Sequence, residues 1–381
     1  MSDPVRTGMA ELMNRFHAAG IDTMMITGDQ SATAYAIGKQ LHLAKGEQLQ
    51  FLDSIRLETL DPELLAGLVQ QVHVFSRISP SHKLQIVQAL QRAGKVVAMT
   101  GDGINDSPAL KAADIGIAMG STGTEVAQSV ANVVLEDDNL HTMISAVEQG
   151  RAIYGNIRKS IHFLLATNFS EIEVMLVAIA LGLGQPLNPM QLLWINLITD
   201  IFPGLALALD PPDPEVLNNP PRDPQEPLIQ RRKLKRMGLE SVAITAGSLS
   251  SYGYALGRYG PEPKANTHAF TSLTLAQLLH SYSCRSPQHS ILSGHRPPPN
   301  PYLNWAVGGS IGAQILASFI PGLRNILGIT PISLADGLVI GAGATLPFLI
   351  NEATKPTGKP QATPSPKTAS PSAETHLQGE S

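Results

Sequence analysis

The sequence has little cysteine, few aromatic residues and few charges. Its 381 residues include a single cysteine, Cys284, and only 5% are aromatic and 15% charged. One cysteine excludes an internal disulfide and a metal cluster made of cysteines, so we expect Cys284 to be inert. The charged fraction is well below the ~25% of ordinary soluble domains, and the net charge of −4 gives no electrostatic basis for a nucleic-acid partner.

Long apolar runs are absent from the first part of the chain and recur in the second. Charges are frequent up to Arg158, whereas long apolar segments follow Ser160, a contrast that the mean hydropathy of +0.04 conceals. The length also exceeds the ~250–300 residues of a single core. We therefore predict a cytoplasmic α/β domain over residues 1–158, a membrane domain over 159–350 and a disordered tail, rich in Pro, Ser and Thr, over 351–381.

The second region is predicted to contain six membrane helices, most of them near the ~20 residues that a bilayer requires. The candidate spans are Ile161–Gly182, Met190–Leu209, Met237–Leu256, Ala269–Ser283, Leu303–Ile320 and Ile332–Ile350. None of these windows contains Lys or Arg, but they contain Glu171, Glu173, Asp200, Glu240 and Asp336. A carboxylate in hydrocarbon is costly unless it has a role, so this asymmetry indicates a path for cations. Glu240 and Asp336 are near span ends, and we expect them to be interfacial.

Basic residues flank the predicted spans on one side if six helices alternate. These residues are Arg151, Arg158, Lys159, Arg231, Arg232, Lys233, Lys235, Arg236, Arg285 and Arg296. The opposite loops, such as 183–189, are nearly free of Lys and Arg. The positive-inside rule therefore predicts a multi-pass integral membrane protein with its N-terminal domain and its C-terminal tail in the cytoplasm.

Short β-branched runs alternate with helical segments in the first region. The predicted strands are Thr23–Ile26, Val72–Phe75, Val96–Met99, Ile115–Ala118 and Val133–Leu135. The predicted helices are Ser31–Leu41, Ser81–Ala93, Thr124–Val130 and Leu140–Gly150. This alternation predicts a parallel sheet, with ligands bound beyond the carboxyl ends of its strands.

Two polar turns, Thr27–Asp29 and Thr100–Asp106, follow predicted strands, and we expect them at adjacent strand ends. Asp102 and Asp106 offer the carboxylate oxygens that Mg²⁺ prefers, and Lys83, near a helix start, is placed to reach a phosphoryl oxygen. The turns therefore predict a phosphate and magnesium site. For Thr27–Asp29 the alternative is a simple turn with a helix cap, and for Lys83 it is a solvated charge.

These turns carry a family resemblance. The segments concerned are Asp3–Arg6, Thr27–Asp29, Ser81–Lys83 and Met99–Leu110. They resemble the phosphorylation-domain motifs of P-type cation-transporting ATPases, which are built on the haloacid dehalogenase-like fold. In the membrane region, Gln191–Asp200, with Pro211 and Pro212 following, resembles the sixth transmembrane helix of type II pumps, the calcium-pump branch. The resemblance covers roughly residues 1 to 350 and implies a partial α/β haloacid dehalogenase-like domain with a Rossmannoid parallel sheet, followed by an all-α domain of six transmembrane helices.

The resemblance also implies roles for the residues at matching positions. Asp102 would bind the catalytic Mg²⁺, Lys83 would contact the phosphoryl group, and Asn105 and Asp106 would order that site. Three further residues would serve the phosphate and nucleotide side: Thr27, Gly28 and Asp29. In the membrane region, the matching positions would coordinate the transported ion.

Two membrane segments carry oxygen-bearing side chains on one face each. Asn168 and Glu171 are three residues apart, whereas Asn196, Thr199 and Asp200 follow i, i+3, i+4 spacing, so each set shares a helix face. Facing helices would bring the five side chains together. That number of oxygen ligands suits a hard cation such as Ca²⁺ better than a soft metal.

The remaining membrane residues refine this prediction. We expect Pro203 to break the second span and to free carbonyl oxygens for a cation, and we expect Glu173, two residues from Glu171, to point elsewhere. The alternative is that Asn168, Asn196 and Thr199 only bond neighbouring helices.

Gln277 departs from the calcium-pump pattern. It stands where pumps of the sarcoplasmic reticulum type carry a glutamate that completes one of two ion sites. A neutral amide weakens that site, which is compatible with a single bound ion or with a different cation. His280, one turn beyond, is interpreted either as a proton carrier or as a buried, hydrogen-bonded histidine.

The sequence lacks Asp-Lys-Thr-Gly-Thr, whose aspartate accepts the phosphoryl group in the resembling family. It also lacks the Thr-Gly-Glu-Ser loop, a nucleotide-binding insertion and the first four membrane helices. Because covalent catalysis needs its nucleophile, we expect the chain to be inactive alone and ATP to be a substrate only together with the missing nucleotide-binding domain. A truncated product, a mis-called start and one half of a split pump, with a separately encoded N-terminal half as partner, all fit.

Three functions remain open. The first is the C-terminal portion of a P-type pump that couples ATP hydrolysis to transport of a cation, with Ca²⁺ preferred. The second is a non-catalytic membrane module that binds cations or regulates a complete pump. The third is a membrane-tethered haloacid dehalogenase-like phosphatase, which the missing nucleophile disfavours.

Overall fold

The computed structural model describes residues 5–286, 289–294 and 297–355. Asp3 and Pro4 of the first motif, Arg296 of the basic flank and residues 356–381 of the predicted tail lie outside the described residues. The chain forms two compact units. The first unit comprises Met1–Arg158, Ala208–Lys235 and Pro298–Asn300, and the second comprises Lys159–Leu207, Arg236–Pro297 and Pro301–Ser381.

The first unit alternates short strands with helices. Its strands are β1 (Met25–Ile26), β2 (Phe51–Asp53), β3 (Val74–Ser76), β4 (Ala98–Gly101), β5 (Ile115–Met119) and β6 (Val133–Leu135). Its helices are α1 (Met9–Ala18), α2 (Ser31–Gln40), α3 (Ser54–Glu58), α4 (Pro62–Leu68), α5 (Pro80–Arg92), α6 (Ser107–Ala112) and α7 (Glu125–Val130). Helix α8 (His141–Ala180) begins in this unit and continues into the second.

The described strands form two parallel sheets of three strands, in the orders β1-β3-β2 and β4-β5-β6. Met25 is opposite Val74 in the first sheet, and Ala98 is opposite Ile115 in the second. The expectation that the two polar turns follow adjacent strands was therefore wrong, because β1 pairs with β3 and β4 with β5. Alternation along the chain indicates that strands are parallel but does not determine which strands are neighbours.

One hydrophobic core cluster includes residues from both sheets of the first unit. Phe75 of β3, Ile86 of α5 and Leu110 of α6 are fully buried in it, together with Ala118 of β5. Helix α5 begins at a capping box, in which Ser79 and His82 bond each other's backbone N–H groups, so the helix start beside β3 is fixed by local sequence.

The second unit is helical. Its further elements are α9 (Pro189–Ile195), a π-helix (Asn196–Ile201), α10 (Phe202–Ala208), α11 (Arg231–Tyr259), α12 (Pro263–Cys284), α13 (Pro301–Phe319), α14 (Pro321–Leu327) and α15 (Leu334–Ala353). Helix α12 is central, with most of its residues buried, and it packs extensively on α15. Helix α15 extends three residues past the predicted end of the membrane region at residue 350.

Three stretches of helix in the described chain are long and apolar enough to cross a membrane: His141–Ala180, Pro189–Ala208 and Leu334–Ala353. A fourth is added if α13 and α14, bent by 95° at their junction, count as one span. Helices α11 and α12 contain the third and fourth predicted spans but are too polar to meet the same test, so their crossing stays a prediction.

Candidate phosphate and cation sites

The turn after β1 is closed by its own side chains. Thr27 donates from Oγ1 to Asp29 Oδ2 at 2.9 Å, and the Asp29 N–H donates back to Thr27 Oγ1 at 3.1 Å. Thr27 N also donates to Phe75 O at 2.9 Å, and Ile78 N donates to Thr27 O at 3.0 Å. Gly28 and Asp29 are exposed. The turn is therefore anchored to β3 while its tip faces solvent.

The turn after β4 is built around a buried carboxylate. Asp106 is 6% exposed, and Lys83 Nζ of α5 lies 2.5 Å from its Oδ1. The Gly103 N–H faces its Oδ2 at 3.4 Å. A Cβ added to Gly101 would come within 2.6 Å of Asp106 Cβ, so only glycine fits beside this carboxylate. Lys83, predicted to contact a phosphoryl group, here contacts Asp106.

The remaining polar residues of the β4 turn face outward. Asp102 and Asn105 are exposed, and the Asp102 carbonyl accepts a hydrogen bond from Thr124 N at 2.9 Å. Mg²⁺ typically takes one or two carboxylates and keeps several waters. The donor set of Asp102 and Asp106 at one strand end, with Asp102 open to water, fits that ion.

A third polar loop follows β5, and the sequence reasoning missed it. Asp138 accepts hydrogen bonds from the backbone N–H groups of Gly120 at 2.7 Å, Ser121 at 3.1 Å and Thr122 at 2.9 Å, and from the Ser121 hydroxyl. The Ser121 hydroxyl is the main reason that the pKa of Asp138 falls from 3.8 to about 2, with the backbone donors adding to the effect. Asp138 adopts a φ of 49°, and Asp is one of the few residues that tolerate this conformation.

In the second unit, Glu171 of α8 lies at the centre of one polar set. It is 6% exposed, and Gln277 of α12 donates from Nε2 to its Oε1 at 3.2 Å. The Asn196 amide, oriented with its nitrogen toward Glu171, donates to both carboxylate oxygens at 3.2 Å. Gln277 Nε2 also faces Ser170 Oγ at 3.2 Å. Its Oε1 is buried without a partner among the described residues, and such an oxygen is available to a cation.

Asp200 of the π-helix lies at the centre of a second polar set. Its Oδ1 accepts from Thr167 Oγ1 at 3.2 Å and from Thr199 Oγ1 at 3.3 Å, and its Oδ2 accepts from Asn168 Nδ2 at 3.1 Å. The two sets are joined through Thr167, whose backbone oxygen accepts from Gln277 Nε2 at 3.2 Å. The structure thus brings together the six predicted cation-site residues: Asn168, Glu171, Asn196, Thr199, Asp200 and Gln277.

The helix that carries Asp200 is irregular where the sequence predicts a break. Residues Asn196–Ile201 form a π-helix, and Pro203 follows within α10. Two carbonyls in this stretch are engaged by side chains: Thr199 Oγ1 donates to Ile195 O at 3.0 Å, and Ser310 Oγ donates to Ile198 O at 2.6 Å. Irregular backbone at membrane depth requires such protein partners, and π-helical turns are frequent at functional sites.

Two contributors escaped the sequence reasoning, namely Thr167 and Ser170. Thr167 lies four residues before Glu171, so the spacing rule that selected Asn168 could have found it, whereas Ser170 is adjacent to Glu171 in sequence and that rule does not select it. Glu173 accepts from Ser241 Oγ at 2.8 Å and from Thr245 Oγ1 at 3.0 Å. It therefore faces α11, away from this site, as predicted.

Two other carboxylates are more buried than an interfacial position implies. Glu240 is 3% exposed and Asp336 is 0% exposed. Arg236 donates from Nε to Glu240 Oε1 at 2.6 Å, and Tyr259 donates from its hydroxyl to Asp336 Oδ1 at 2.8 Å. Burial is tolerated because each carboxylate has charged or hydrogen-bonding partners within the unit.

Comparison with known protein families covers both parts of the chain. Residues 184–357 match the family described as cation transporting ATPase, C-terminus. Residues 1–114 and 83–146 match two families of haloacid dehalogenase-like hydrolases. The first unit therefore has the predicted fold, and the apolar helices of the second support an integral membrane protein.

The similar curated proteins are calcium pumps. The chain is 43% identical over 351 residues to the calcium-transporting ATPase of Bacillus subtilis (strain 168), covering 91% of this chain and 39% of the relative. It is 40% identical to calcium-transporting ATPase 1 of Bacillus cereus, covering 93% of this chain and 41% of the relative. Against calcium-transporting ATPase type 2C member 2 of Mus musculus, the identity is 36%, with 93% and 37% covered.

The chain thus spans about two fifths of the length of the curated relatives it matches. Along the chain, the matches to the hydrolase families precede the match to the cation transporting ATPase C-terminus. On this evidence the chain belongs to the P-type cation-transporting ATPases, of which it represents the C-terminal portion.

Proposed function

We propose that this chain supplies the cation site and part of the phosphate site of an ATPase that couples ATP hydrolysis to Ca²⁺ transport. The observation that carries the proposal is the pair of carboxylates, Glu171 and Asp200, held in one oxygen-rich set by α8, the π-helix and α12. Carboxylate, amide and hydroxyl oxygens in this number suit Ca²⁺. The relatives' names, which specify calcium transport, agree.

The amides of this site have two roles. Asn168, Asn196 and Gln277 each carry an N–H₂ donor and a carbonyl acceptor. With the nitrogens turned inward they donate to Glu171 and Asp200; for Asn196 this orientation is assigned because it gives both amide atoms hydrogen-bond partners. A half-turn of each amide presents oxygen instead, so a cation can replace the hydrogen bonds without leaving either carboxylate unpaired.

The residues of the first unit bind the phosphoryl group but do not accept it. Asp102 and Asp106 would hold Mg²⁺, which when bound neutralises charge on the transferred group. Lys83, 2.5 Å from Asp106, orients that carboxylate and adds positive charge. The acceptor aspartate must come from chain outside these 381 residues, because no Asp-Lys-Thr-Gly-Thr occurs in them.

The sheet order suggests where that segment binds. Among the described strands, β1 and β4 are each at the edge of a parallel sheet, and a polar turn follows each of them. An edge strand presents unpaired backbone N–H and C=O groups with which another strand can pair. A strand that adds to β1 or β4 in parallel would gain main-chain hydrogen bonds and bring its carboxyl end to these turns. We assign the acceptor aspartate to such a strand, whether it is joined to this chain or separately encoded.

The charge distribution supports the orientation of the assembly. The basic residues before the first and third predicted spans support a cytoplasmic position for the first unit, where ATP and Mg²⁺ are available. The C-terminal tail is proposed to lie on the same side.

A cation-binding module without catalysis is the second candidate. One observation favours it: all six cation-site residues belong to the second unit, so their arrangement does not require the phosphate site. Phosphorylation distinguishes the two candidates directly.

The test is to express the chain with and without a segment that carries Asp-Lys-Thr-Gly-Thr, then to add labelled ATP, Mg²⁺ and Ca²⁺. We expect hydroxylamine-sensitive phosphoprotein only when both parts are present and Ca²⁺ is bound, and we expect Asp102→Asn to reduce it strongly. Acyl-phosphate on this chain alone contradicts the proposal. Ca²⁺ binding without phosphorylation of the joined parts favours the module.

A further inference from the structure

A second set of potential metal ligands lies in the second unit, apart from the oxygen-rich site. It consists of His162 of α8, Glu240 of α11, and His280 and Cys284 of α12, and we call it the His-Cys-Glu cluster. The ligand atoms of the two histidines and the cysteine lie within 4.8 Å of one another. We propose that this cluster binds one Zn²⁺ or a similar borderline transition-metal ion.

Two distances from His280 are close to those of a tetrahedral site. His280 Nε2 lies 3.3 Å from Cys284 Sγ and 3.7 Å from Glu240 Oε2. Zinc bonds are about 2.0–2.1 Å to nitrogen or oxygen and about 2.3 Å to sulfur. In a tetrahedron these bonds separate nitrogen from sulfur by about 3.6 Å, and nitrogen from oxygen by about 3.4 Å. The His162 Nε2 to Glu240 Oε2 contact, at 2.5 Å, must lengthen by somewhat less than 1 Å.

The surroundings leave these atoms available. His280 is 1% exposed and Cys284 is 5% exposed. Within the described chain, His280 Nε2 makes polar contacts with Cys284 Sγ and Glu240 Oε2. His280 Nδ1 is buried without a partner there. Arg236 engages the other oxygen of Glu240, Oε1, at 2.6 Å, whereas Oε2 faces the two histidines of the cluster.

The ligand types select the ion. Nitrogen, thiolate and one carboxylate are the ligands of zinc and its neighbours, whereas Ca²⁺ and Mg²⁺ take oxygen. Binding releases the Cys284 thiol proton, because the thiolate is the form that binds a metal. The low cysteine content excludes a cluster of cysteines but not a mixed set of this kind.

A metal ion at this site would link three helices, α8, α11 and α12. His280 and Cys284 are four residues apart, on one face of α12, while His162 and Glu240 come from the two helices packed beside it. An ion that binds this arrangement and not the unfolded chain stabilises it by mass action. The cluster contains none of the residues of the oxygen-rich site. The proposal of zinc binding can therefore be tested independently of the proposed Ca²⁺ transport.

The test is metal binding to the purified, chelator-treated chain in detergent, without a polyhistidine tag. We expect one Zn²⁺ per chain by mass spectrometry, and zinc X-ray absorption should show one sulfur neighbour at about 2.3 Å. Because Cys284 is the only cysteine, a thiolate neighbour identifies the site without any substitution. An all-nitrogen and oxygen shell, or no retained zinc, overturns the proposal.

Substitutions of the proposed ligands test which residues bind the zinc ion. Cys284→Ser and His280→Gln should each weaken Zn²⁺ binding by more than about 100-fold, since even changes outside the ligand shell cost 10–100-fold. His268→Gln is the matched control, because His268 is another buried histidine of α12 and does not belong to the cluster. Asp200→Asn should also leave zinc binding unchanged. Loss of zinc in either control, or its retention in Cys284→Ser, contradicts the assignment.

Discussion

The phosphate turns of the first unit and the cation site of the second differ in how complete they are. Asp29, Asp102 and Asn105 are exposed, at sheet edges that no described strand covers. Glu171 is 6% exposed, and Gln277 is fully buried. Under the proposed function the open phosphate turns await a ligand and a further segment of chain, whereas the carboxylates of the closed site already accept hydrogen bonds from neighbouring side chains.

The two sites differ because water reaches the exposed turns but not a site within a membrane. Water can hydrate an exposed carboxylate such as Asp102 until its ligand arrives. Within a membrane no water performs this role, so Glu171 and Asp200 require protein donors whenever the cation is absent. Buried polar groups without partners are rare in proteins, which explains why amides surround these two carboxylates.

The largest expected effect concerns the closed site. Asp200→Asn removes a charge that Thr167, Asn168 and Thr199 all contact. The change should lower the apparent Ca²⁺ affinity of phosphorylation, measured with the acceptor segment supplied, by about 100-fold, since interactions with charged groups are worth about 1.5–3 kcal/mol each. An unchanged Ca²⁺ dependence would show that Asp200 is not a ligand.

The next effect concerns the one buried ion pair of the phosphate turns. Lys83→Met leaves the Asp106 carboxylate, 6% exposed, without its cation, and should destabilise the first unit by about 2–3 kcal/mol because one charge is then buried unpaired. Urea unfolding followed by a probe in the first unit measures this. The double variant Lys83→Met with Asp106→Leu should regain part of the loss, and additive losses would mean that the pair is not coupled.

A smaller effect concerns the glycine of the same turn. Gly101→Ala places a methyl group 2.6 Å from Asp106 Cβ, and overpacking of this kind should cost about 1–3 kcal/mol in unfolding free energy. Gly67→Ala in α4 is the control, because a Cβ there meets no atom within 4 Å, and it should stabilise by up to about 1 kcal/mol. Equal effects of the two changes would refute the close packing beside Asp106.

The smallest effect is the pH response of the loop after β5. Because the pKa of Asp138 is about 2, below the usual 3.8, its ionised form stabilises the fold above pH 3.8, and this contribution is lost as pH falls through about 2. Protection of the Ser121 and Thr122 amides against exchange, relative to the intrinsic exchange rate at each pH, should therefore fall between pH 4 and pH 2. Asp138→Asn, which also tolerates the positive φ, should remove this pH dependence; a variant that keeps it would assign the response to another group.

Many features of both sites could be predicted from the sequence. Helical spacing placed Asn168 with Glu171, and Asn196 with Asp200, on shared faces, because side-chain direction in a helix follows directly from residue number. Pro203 predicted the irregular backbone before it, since proline removes a helical hydrogen bond. The strand positions followed from β-branched runs, with β6 matching its predicted limits, 133–135.

What sequence did not provide depends on contacts between distant segments. Strand order in a parallel sheet is not encoded by local pattern, which is why β1 and β4 were wrongly taken as neighbours. Strand β2 has no strong apolar run and escaped notice. Lys83 was expected to face a phosphoryl group, but its contact with Asp106 arises from the packing of α5 against the β4 turn. The contacts of Glu240 in α11 with His162 of α8 and His280 of α12 likewise depend on the packing of three helices.

The central claim is that this chain builds its cation site without the phosphate site being complete. Equilibrium ⁴⁵Ca²⁺ binding to the chain alone, compared between Glu171→Gln and Glu173→Gln, tests it most directly, because both carboxylates lie on α8 but Glu173 faces Ser241 and Thr245 instead of the site. We predict saturable binding that Glu171→Gln abolishes and Glu173→Gln retains. No saturable binding, or equal losses in both variants, would contradict the account.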